Sequence, residues 1–160
     1  MRSTTPLLGL LRTAALVALV VVLAACSRNG TGVGNVGPGG GPPGSQQEFL
    51  VTVGDRVFFE TDSSALTATA AATLDKQAVW LNKYGNYKIL IEGHADERGT
   101  REYNIALGAR RSSVVTNYLI SKGVSASRLT SKSYGKERPV AICDDISCWS
   151  QNRRAVTVIQ

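Results

Sequence analysis

Apolar positions recur with the period of an α-helix in two stretches of the chain. The first, Ala65–Tyr84, contains neither Gly nor Pro and is followed by Gly85, which favours a helix end there. The second, Glu102–Lys122, is preceded by Thr100 as a capping residue and followed by Gly123. The pattern therefore predicts two amphipathic helices.

Short apolar or alternating stretches predict four strands. They are Phe49–Phe59, interrupted at Gly54-Asp55, then Tyr87–Gly93, Leu129–Gly135 and Arg153–Gln160. We expect Lys136–Gln151 to be a loop with room for one helical turn. The order β-α-β-α-β-β predicts an α+β fold, a two-layer sandwich with two main helices packed on one face of a mixed four-stranded sheet. The other face of the sheet would be solvated or contact a partner.

A short apolar run near the N-terminus has the pattern of a secretory signal peptide. Arg2 and Arg12 precede it, and residues 13–27 carry no charge. A spanning helix needs about 20 apolar residues, and a run of that length would include Arg12. The sequence LAAC at residues 23–26 resembles the lipobox of bacterial lipoproteins, in which the cysteine thiol receives a diacylglycerol. We predict a signal peptide over residues 1–25 and lipidation at Cys26, the alternative being an ordinary secreted protein.

The segment 26–47 is rich in Gly and Pro and has little apolar surface to bury. Eight of the 16 glycines of the chain lie between residues 30 and 44. Such a composition predicts a flexible tether, with a root-mean-square span of about 25 Å. The remaining residues, 48–160, are enough for one modest domain.

The chain carries 18 basic and 12 acidic residues, a formal net charge of +6. The Lys and Arg residues are dispersed along the sequence rather than clustered in a stripe, so we predict no nucleic-acid partner. A net positive charge of this size is compatible with an acidic or polyanionic partner and does not identify which one.

Candidate binding residues lie where a strand leads through a loop into the second helix. Asp96 lies in the loop, and Asn104, Leu107 and Arg111 follow on one face of the helix. A carboxylate and a guanidinium that share a cleft can bind a zwitterion, because the carboxylate takes the ammonium and the guanidinium takes the carboxylate. The simpler alternative is that Asp96 caps the loop or pairs with Arg98.

Two other features suggest chemistry less strongly. His94 is the sole histidine and has no other ligand at metal spacing, so we expect a hydrogen-bonded structural residue and no metal or cofactor. Glu92 and Asp96 could form the carboxylate pair of a glycosidase, but such pairs at strand ends are usually ordinary polar residues. Hydrolysis is therefore a minor alternative.

Cys143 and Cys148 lie close together in the loop before the last strand. In an oxidising compartment a disulfide is favoured, with a metal clip or two free thiols as alternatives. The disulfide would close a six-residue loop and contribute about 2 kcal/mol.

Four sequence blocks resemble the OmpA-like peptidoglycan-binding domain: GHADERGT, YNIALGARR, SYGKERP and NRRAV. With the lipobox and tether, they are more narrowly similar to the lipoproteins of the Tol–Pal system. The resemblance implies non-covalent binding of the diaminopimelate in peptidoglycan stem peptides. Carried over by position, Asp96 takes the ammonium and Arg111 the carboxylate, with Asn104 and Leu107 in the same groove. Asp62 matches a further family contact, and Thr61 stands where the family often has an aromatic residue.

The same resemblance implies a non-enzymatic protein of the outer membrane. It would face the periplasm, tie membrane to cell wall, and work with TolB and possibly TolA in membrane integrity and constriction at cell division. The alternative is a wall-anchoring module of another envelope complex, such as a secretion or motor assembly. A motor stator would need a spanning helix with an acidic residue, and the apolar run has neither Asp nor Glu.

Overall fold

The computed structural model describes residues 40–160. The predicted signal peptide, Cys26 and most of the predicted tether lie outside this range. Among the residues it describes, no helix combines the length and the apolar character needed to cross a membrane.

The described chain forms helices and strands in alternation. They are α1 (Gln46–Glu48), a π-helical segment (Phe49–Gly54), β1 (Arg56–Phe58), α2 (Ala68–Lys83), β2 (Ile89–His94), α3 (Arg101–Ser121), a 3-10 turn (Ala126–Arg128), β3 (Leu129–Gly135), α4 (Ile146–Asn152) and β4 (Arg154–Ile159). The strands form one sheet in the order β1-β4-β2-β3. Because β2 and β3 are parallel whereas β4 is antiparallel to both of its neighbours, the sheet is mixed. The predicted α+β fold is confirmed, with short helices in addition to the two main ones.

The two main helices begin at threonine caps. The Thr67 hydroxyl accepts a hydrogen bond from the Ala70 backbone N–H at 3.1 Å, and the Thr100 hydroxyl accepts one from that of Tyr103 at 3.2 Å. Each cap satisfies a backbone donor that the first turn leaves without a helical partner. Gly123, just beyond α3, has a φ of 91°, a conformation that glycine adopts at low cost. The predicted helix positions are confirmed to within a few residues.

The first predicted strand is wrong in its N-terminal half. Residues 49–54 are helical, and only Arg56–Phe58 pair as a strand. Phe49 is fully buried, with its ring centroid 4.9 Å from that of Trp80, while Leu50 is 50% exposed. The Trp80 indole N–H also donates to the Glu48 carboxylate at 2.8 Å. The contacts of Glu48 and Phe49 with Trp80 of α2 stabilise a helical segment, although the alternation of apolar and polar residues favours a strand.

Residues from the predicted tether also contact the folded domain. The Tyr87 hydroxyl donates to the Gly44 carbonyl at 2.7 Å, and the Gln46 side-chain amide donates to the Ile159 carbonyl at 3.2 Å. The ordered contacts therefore begin before residue 48. At the other end of the domain, the predicted loop contains α4, which has seven residues rather than a single turn.

The core lies between the sheet and the helices α2 and α3. Its centre is formed by fully buried aliphatic side chains, including Leu74, Leu81, Ile89, Ile91 and Leu119. At the end of β2 the strand approaches α3 very closely, since a Cβ atom on Gly93 would overlap the backbone carbonyl of Gly108. This approach sets the position of the loop that follows β2.

Candidate functional site

The loop between β2 and α3 is fixed from both sides. The Ala95 backbone N–H donates to the carbonyl of Gly135 at 2.8 Å. The Lys136 ammonium donates to the carbonyls of Glu97 and Gly99, at 3.1 and 2.7 Å. Gly99 has a φ of 86°, which allows the tight turn into α3. The loop therefore presents its side chains from a defined backbone.

A cavity of about 270 Å³ opens between this loop, α3 and the segment that follows β1. All six residues predicted to contact a ligand line it: Thr61, Asp62, Asp96, Asn104, Leu107 and Arg111. The structure thus brings together residues separated by up to 50 positions, as a binding site requires.

Asp96 supplies the negative charge of the cavity. It is 7% exposed. Its carboxylate accepts a hydrogen bond from the Arg98 guanidinium at 2.6 Å and is 3.4 Å from that of Arg153. Burial raises the pKa of Asp96, but the hydrogen bonds and charge of Arg98, with a further hydrogen bond from Arg153, outweigh burial and hold the pKa below its ordinary value. Asp96 is therefore ionised at neutral pH.

Arg111 supplies the positive charge and is fully buried. Its guanidinium donates to three backbone carbonyls, those of Ser63 at 2.8 Å, His94 at 2.8 Å and Glu60 at 3.2 Å. Burial lowers its pKa to about 10, so it stays protonated at neutral pH. Within residues 40–160 it forms no ion pair with a carboxylate. Three of its five N–H donors are used, and the other two have no hydrogen-bond partner within residues 40–160.

The remaining walls of the cavity combine polar and apolar groups. Asp62 has a φ of 55° and accepts a hydrogen bond from the Tyr103 hydroxyl. The Asn104 side-chain amide donates to the Arg98 carbonyl at 2.7 Å, and Leu107 contributes a buried apolar surface. Tyr103 is 44% exposed, so it supplies an aromatic group to a cavity in which Thr61 supplies none.

Sequence reasoning did not assign a site role to four lining residues: Arg98, Gly99, Tyr103 and Arg153. Arg98 was considered only as a partner of Asp96, and the structure shows that this ion pair exists within the site. Arg153 belongs to the NRRAV block, to which the sequence analysis assigns no binding role. Tyr103 precedes Leu107 by four residues, and this helical spacing, which places the two on one face, is the available signal.

His94 and Glu92 do not line this cavity. His94 is 1% exposed, and its ring stacks on that of Tyr134 with centroids 5.6 Å apart. The expected hydrogen bonds are absent in the described part of the chain: the Nε2 atom is 3.4 Å from the Glu92 carboxylate without hydrogen-bond geometry, and neither ring nitrogen has a partner. Burial lowers the pKa of His94 to about 4, so the ring is neutral.

The structure joins Cys143 and Cys148 in a disulfide with a Cα–Cα distance of 5.7 Å. The next residue, Trp149, donates its indole N–H to the Glu97 carboxylate. Its ring also packs under the Arg98 guanidinium, which lies 4.1 Å from the ring centroid. The disulfide-closed segment therefore supports one rim of the cavity.

The cavity is suited to a small zwitterion. Asp96 and Arg111 present fixed charges of opposite sign, and both are largely removed from water, where charge-assisted hydrogen bonds are strongest. Residues 40–160 contain no cluster of three or more His, Cys, Asp or Glu residues able to hold a metal ion.

Comparison with known proteins agrees with this fold. The model of the OmpA family matches residues 58–153. The peptidoglycan-associated lipoprotein of Rhizobium meliloti (strain 1021) is 60% identical over 156 residues, covering 92% of this chain and 88% of the relative. The corresponding lipoprotein of Mesorhizobium japonicum is 58% identical, covering 91% and 89%.

Solved structures show the same fold. The peptidoglycan-associated lipoprotein of Burkholderia pseudomallei superposes with a TM-score of 0.66 at 39% identity, covering 69% of this chain and 96% of the other. The C-terminal domain of Helicobacter pylori MotB superposes with a TM-score of 0.62 at 25% identity, covering 66% and 84%. The chain therefore belongs to the OmpA family, and within it to the peptidoglycan-associated lipoproteins.

Proposed function

We propose that this protein binds peptidoglycan non-covalently through the diaminopimelate of its stem peptides. The observation that carries the proposal is the pair of fixed, opposite charges of Asp96 and Arg111 in one cavity. The names of its relatives, peptidoglycan-associated lipoproteins, support peptidoglycan as the polymer that is bound. The proposed action is mechanical, since binding at one end and a lipid anchor at the other would tie membrane to wall.

Diaminopimelate fits the cavity because its side chain ends in an ammonium and a carboxylate on one carbon. In our proposal the ammonium approaches Asp96, and the carboxylate receives the two free N–H donors of Arg111. Leu107 contacts the methylene groups, and Asn104 and Asp62 bind the polar edges of the ligand. Thr61 lies at the rim and contributes no stacking.

The same electrostatics argue for binding without catalysis. A glycosidase needs a carboxylic acid whose raised pKa lets it donate a proton. The pKa of Asp96 is instead held low by two arginines, and Glu92 does not line the cavity. We therefore propose that the wall is bound and not cleaved.

We further propose that lipidated Cys26 anchors the protein in the outer membrane with the domain in the periplasm, where it works with TolB and possibly TolA. The resemblance to the Tol–Pal lipoproteins supports this partnership. The rim formed by Arg98, Tyr103 and Trp149 is where we expect TolB to bind, in competition with the wall. A complex containing wall, protein and TolB together in a pull-down would contradict this competition.

The likeness to the MotB domain favours one second candidate, a wall-anchoring module in another envelope complex. Both candidates share the wall-binding step and differ in the protein partner. Affinity capture of the full chain from crosslinked cells separates them, because Tol proteins are expected for the first and components of a secretion or motor assembly for the second.

The chemistry of the ligand gives the direct test. The full chain, purified in detergent, is sedimented with insoluble peptidoglycan that contains diaminopimelate and with peptidoglycan that contains lysine at the same position. Lysine lacks the terminal carboxylate, so Arg111 loses its partner and binding should weaken about 10- to 100-fold. Equal sedimentation with both walls would rule out recognition of the zwitterion.

A further inference from the structure

A second cavity shares the residue Arg153 with the proposed zwitterion site. Its volume is about 390 Å³, and it is bordered by the end of β1 and by α4. Arg153 lines both cavities, so the two cavities adjoin at this residue. This guanidinium is held by the Phe59 carbonyl at 3.0 Å and by Asp96 at 3.4 Å. A ligand in the first cavity would therefore have an adjoining groove for the part of the molecule that extends from it.

The lining of this groove favours a neutral, polyhydroxylated group. Phe58 is 47% exposed and offers an aromatic surface. Glu60 and Arg153 contribute opposite charges, which leaves no net charge to attract an ion. Within the described residues, the Glu60 carboxylate and the Gln151 amide oxygen have no side-chain hydrogen-bond donor. They can accept hydrogen bonds from hydroxyl or amide N–H groups.

We propose that this groove binds the N-acetylated amino sugar that carries the stem peptide, a proposal that rests on the proposed function. The C–H face of a sugar ring suits the electron-rich face of Phe58. The sugar hydroxyls and acetamido N–H suit Glu60 and Gln151, and its carbonyl can accept from Arg153. A three-residue stem spans about 10 Å when extended, and the two cavities adjoin at Arg153.

Two soluble probes separate sugar binding from peptide binding. One is the diaminopimelate-containing stem tripeptide, and the other is the same tripeptide attached to its disaccharide. Both are titrated calorimetrically into the full chain in detergent. The variants are Phe58→Ala, Phe58→Tyr, which keeps the ring, and Val79→Ala, an exposed apolar position on α2 that serves as the matched control.

The parent protein should bind the disaccharide probe about 5- to 10-fold more tightly than the tripeptide, the range that one aromatic contact contributes. Phe58→Ala should abolish this difference and leave the tripeptide Kd unchanged. Phe58→Tyr and Val79→Ala should both preserve it.

Each other outcome overturns the proposal in a recognisable way. Equal affinity of the parent for both probes means that the sugar makes no contact. Equal weakening of both probes by Phe58→Ala means that the groove binds the stem peptide instead. If the parent binds neither probe, the proposed function itself fails, whereas failure of the groove alone leaves the tripeptide bound and sensitive to Asp96→Asn.

Discussion

Replacing Asp96 by asparagine removes the negative charge of the binding cavity with almost no change in shape. The asparagine oxygen can still accept the Arg98 backbone N–H, which is 3.2 Å from the carboxylate in the parent protein. The new amide N–H₂ group would face the guanidinium groups of Arg98 and Arg153. All three groups are hydrogen-bond donors, so these two hydrogen bonds would be lost. A ligand ammonium would lose the carboxylate that the loop after β2 contributes to the cavity.

The expected loss of affinity follows from one charge-assisted hydrogen bond in a site shielded from water. Such a bond contributes about 1.5–3 kcal/mol, which corresponds to about 10- to 100-fold in Kd. The loss of folding free energy should be about 2–3 kcal/mol, because the buried Arg153 also loses its charged partner, whereas Arg98 is partly exposed and screened by solvent. A domain of this size is expected to tolerate that loss and remain folded.

The assay is sedimentation of the full chain with increasing amounts of insoluble peptidoglycan, beside a thermal unfolding curve for each variant. Asp144→Asn is the matched control, because Asp144 is exposed and does not line the binding cavity. It removes the same charge from the same protein. If Asp96→Asn is folded and sediments like the parent, the zwitterion clamp is refuted. If Asp144→Asn weakens binding equally, net charge rather than the cavity governs the interaction.

Three further predictions concern stability, each measured by urea unfolding. Burial lowers the pKa of His94 to about 4, so the imidazole binds a proton more readily in the unfolded chain than in the folded one. The contribution of neutral His94 to the free energy of unfolding is therefore complete above pH 6.5 and falls by about 1.4 kcal/mol per pH unit towards pH 4. His94→Phe should remove this slope, and an unchanged slope would contradict the assignment. Gly93→Ala should lower the free energy of unfolding by about 3 kcal/mol or more, because the added Cβ would force β2 away from α3. An unchanged urea midpoint would show that β2 and α3 do not pack so closely at this point. Replacing Cys143 and Cys148 together by serine should cost about 2 kcal/mol while peptidoglycan still binds, so lost binding in a folded variant would assign the loop a direct role.

The elements that the sequence predicted well are those specified by nearby residues. Both main helices have a threonine cap and an apolar stripe, and these signals act within a few residues of one another. β3 was predicted at its observed bounds, Leu129–Gly135, because polar residues precede it and Gly135 ends it. The prediction of a strand over residues 49–54 was wrong because the packing of Phe49 against Trp80 decides the conformation of this segment. Phe49 and Trp80 are 31 positions apart in the chain, so local sequence does not reveal the contact.

The binding cavity shows the same division between local and long-range determinants. Helical spacing alone placed Asn104, Leu107 and Arg111 on one face, and all three line the cavity. Arg153 could not be assigned in this way, since 57 residues separate it from its partner Asp96. Only the pairing of β4 between β1 and β2 brings the two together.

Arg111 shows why a residue's presence in a binding site does not reveal how to test its role. Its three hydrogen bonds reach carbonyls in two separate segments, residues 60–63 and His94, so the side chain joins β2 to the loop after β1. Removing it would leave buried carbonyls without donors as well as a ligand carboxylate without a partner. Loss of binding in an Arg111 variant is therefore expected whether the residue contacts diaminopimelate or only shapes the cavity. Asp96→Asn and the lysine-containing wall avoid this ambiguity, because each changes one charge of the proposed ligand contact and leaves the carbonyl network of Arg111 intact.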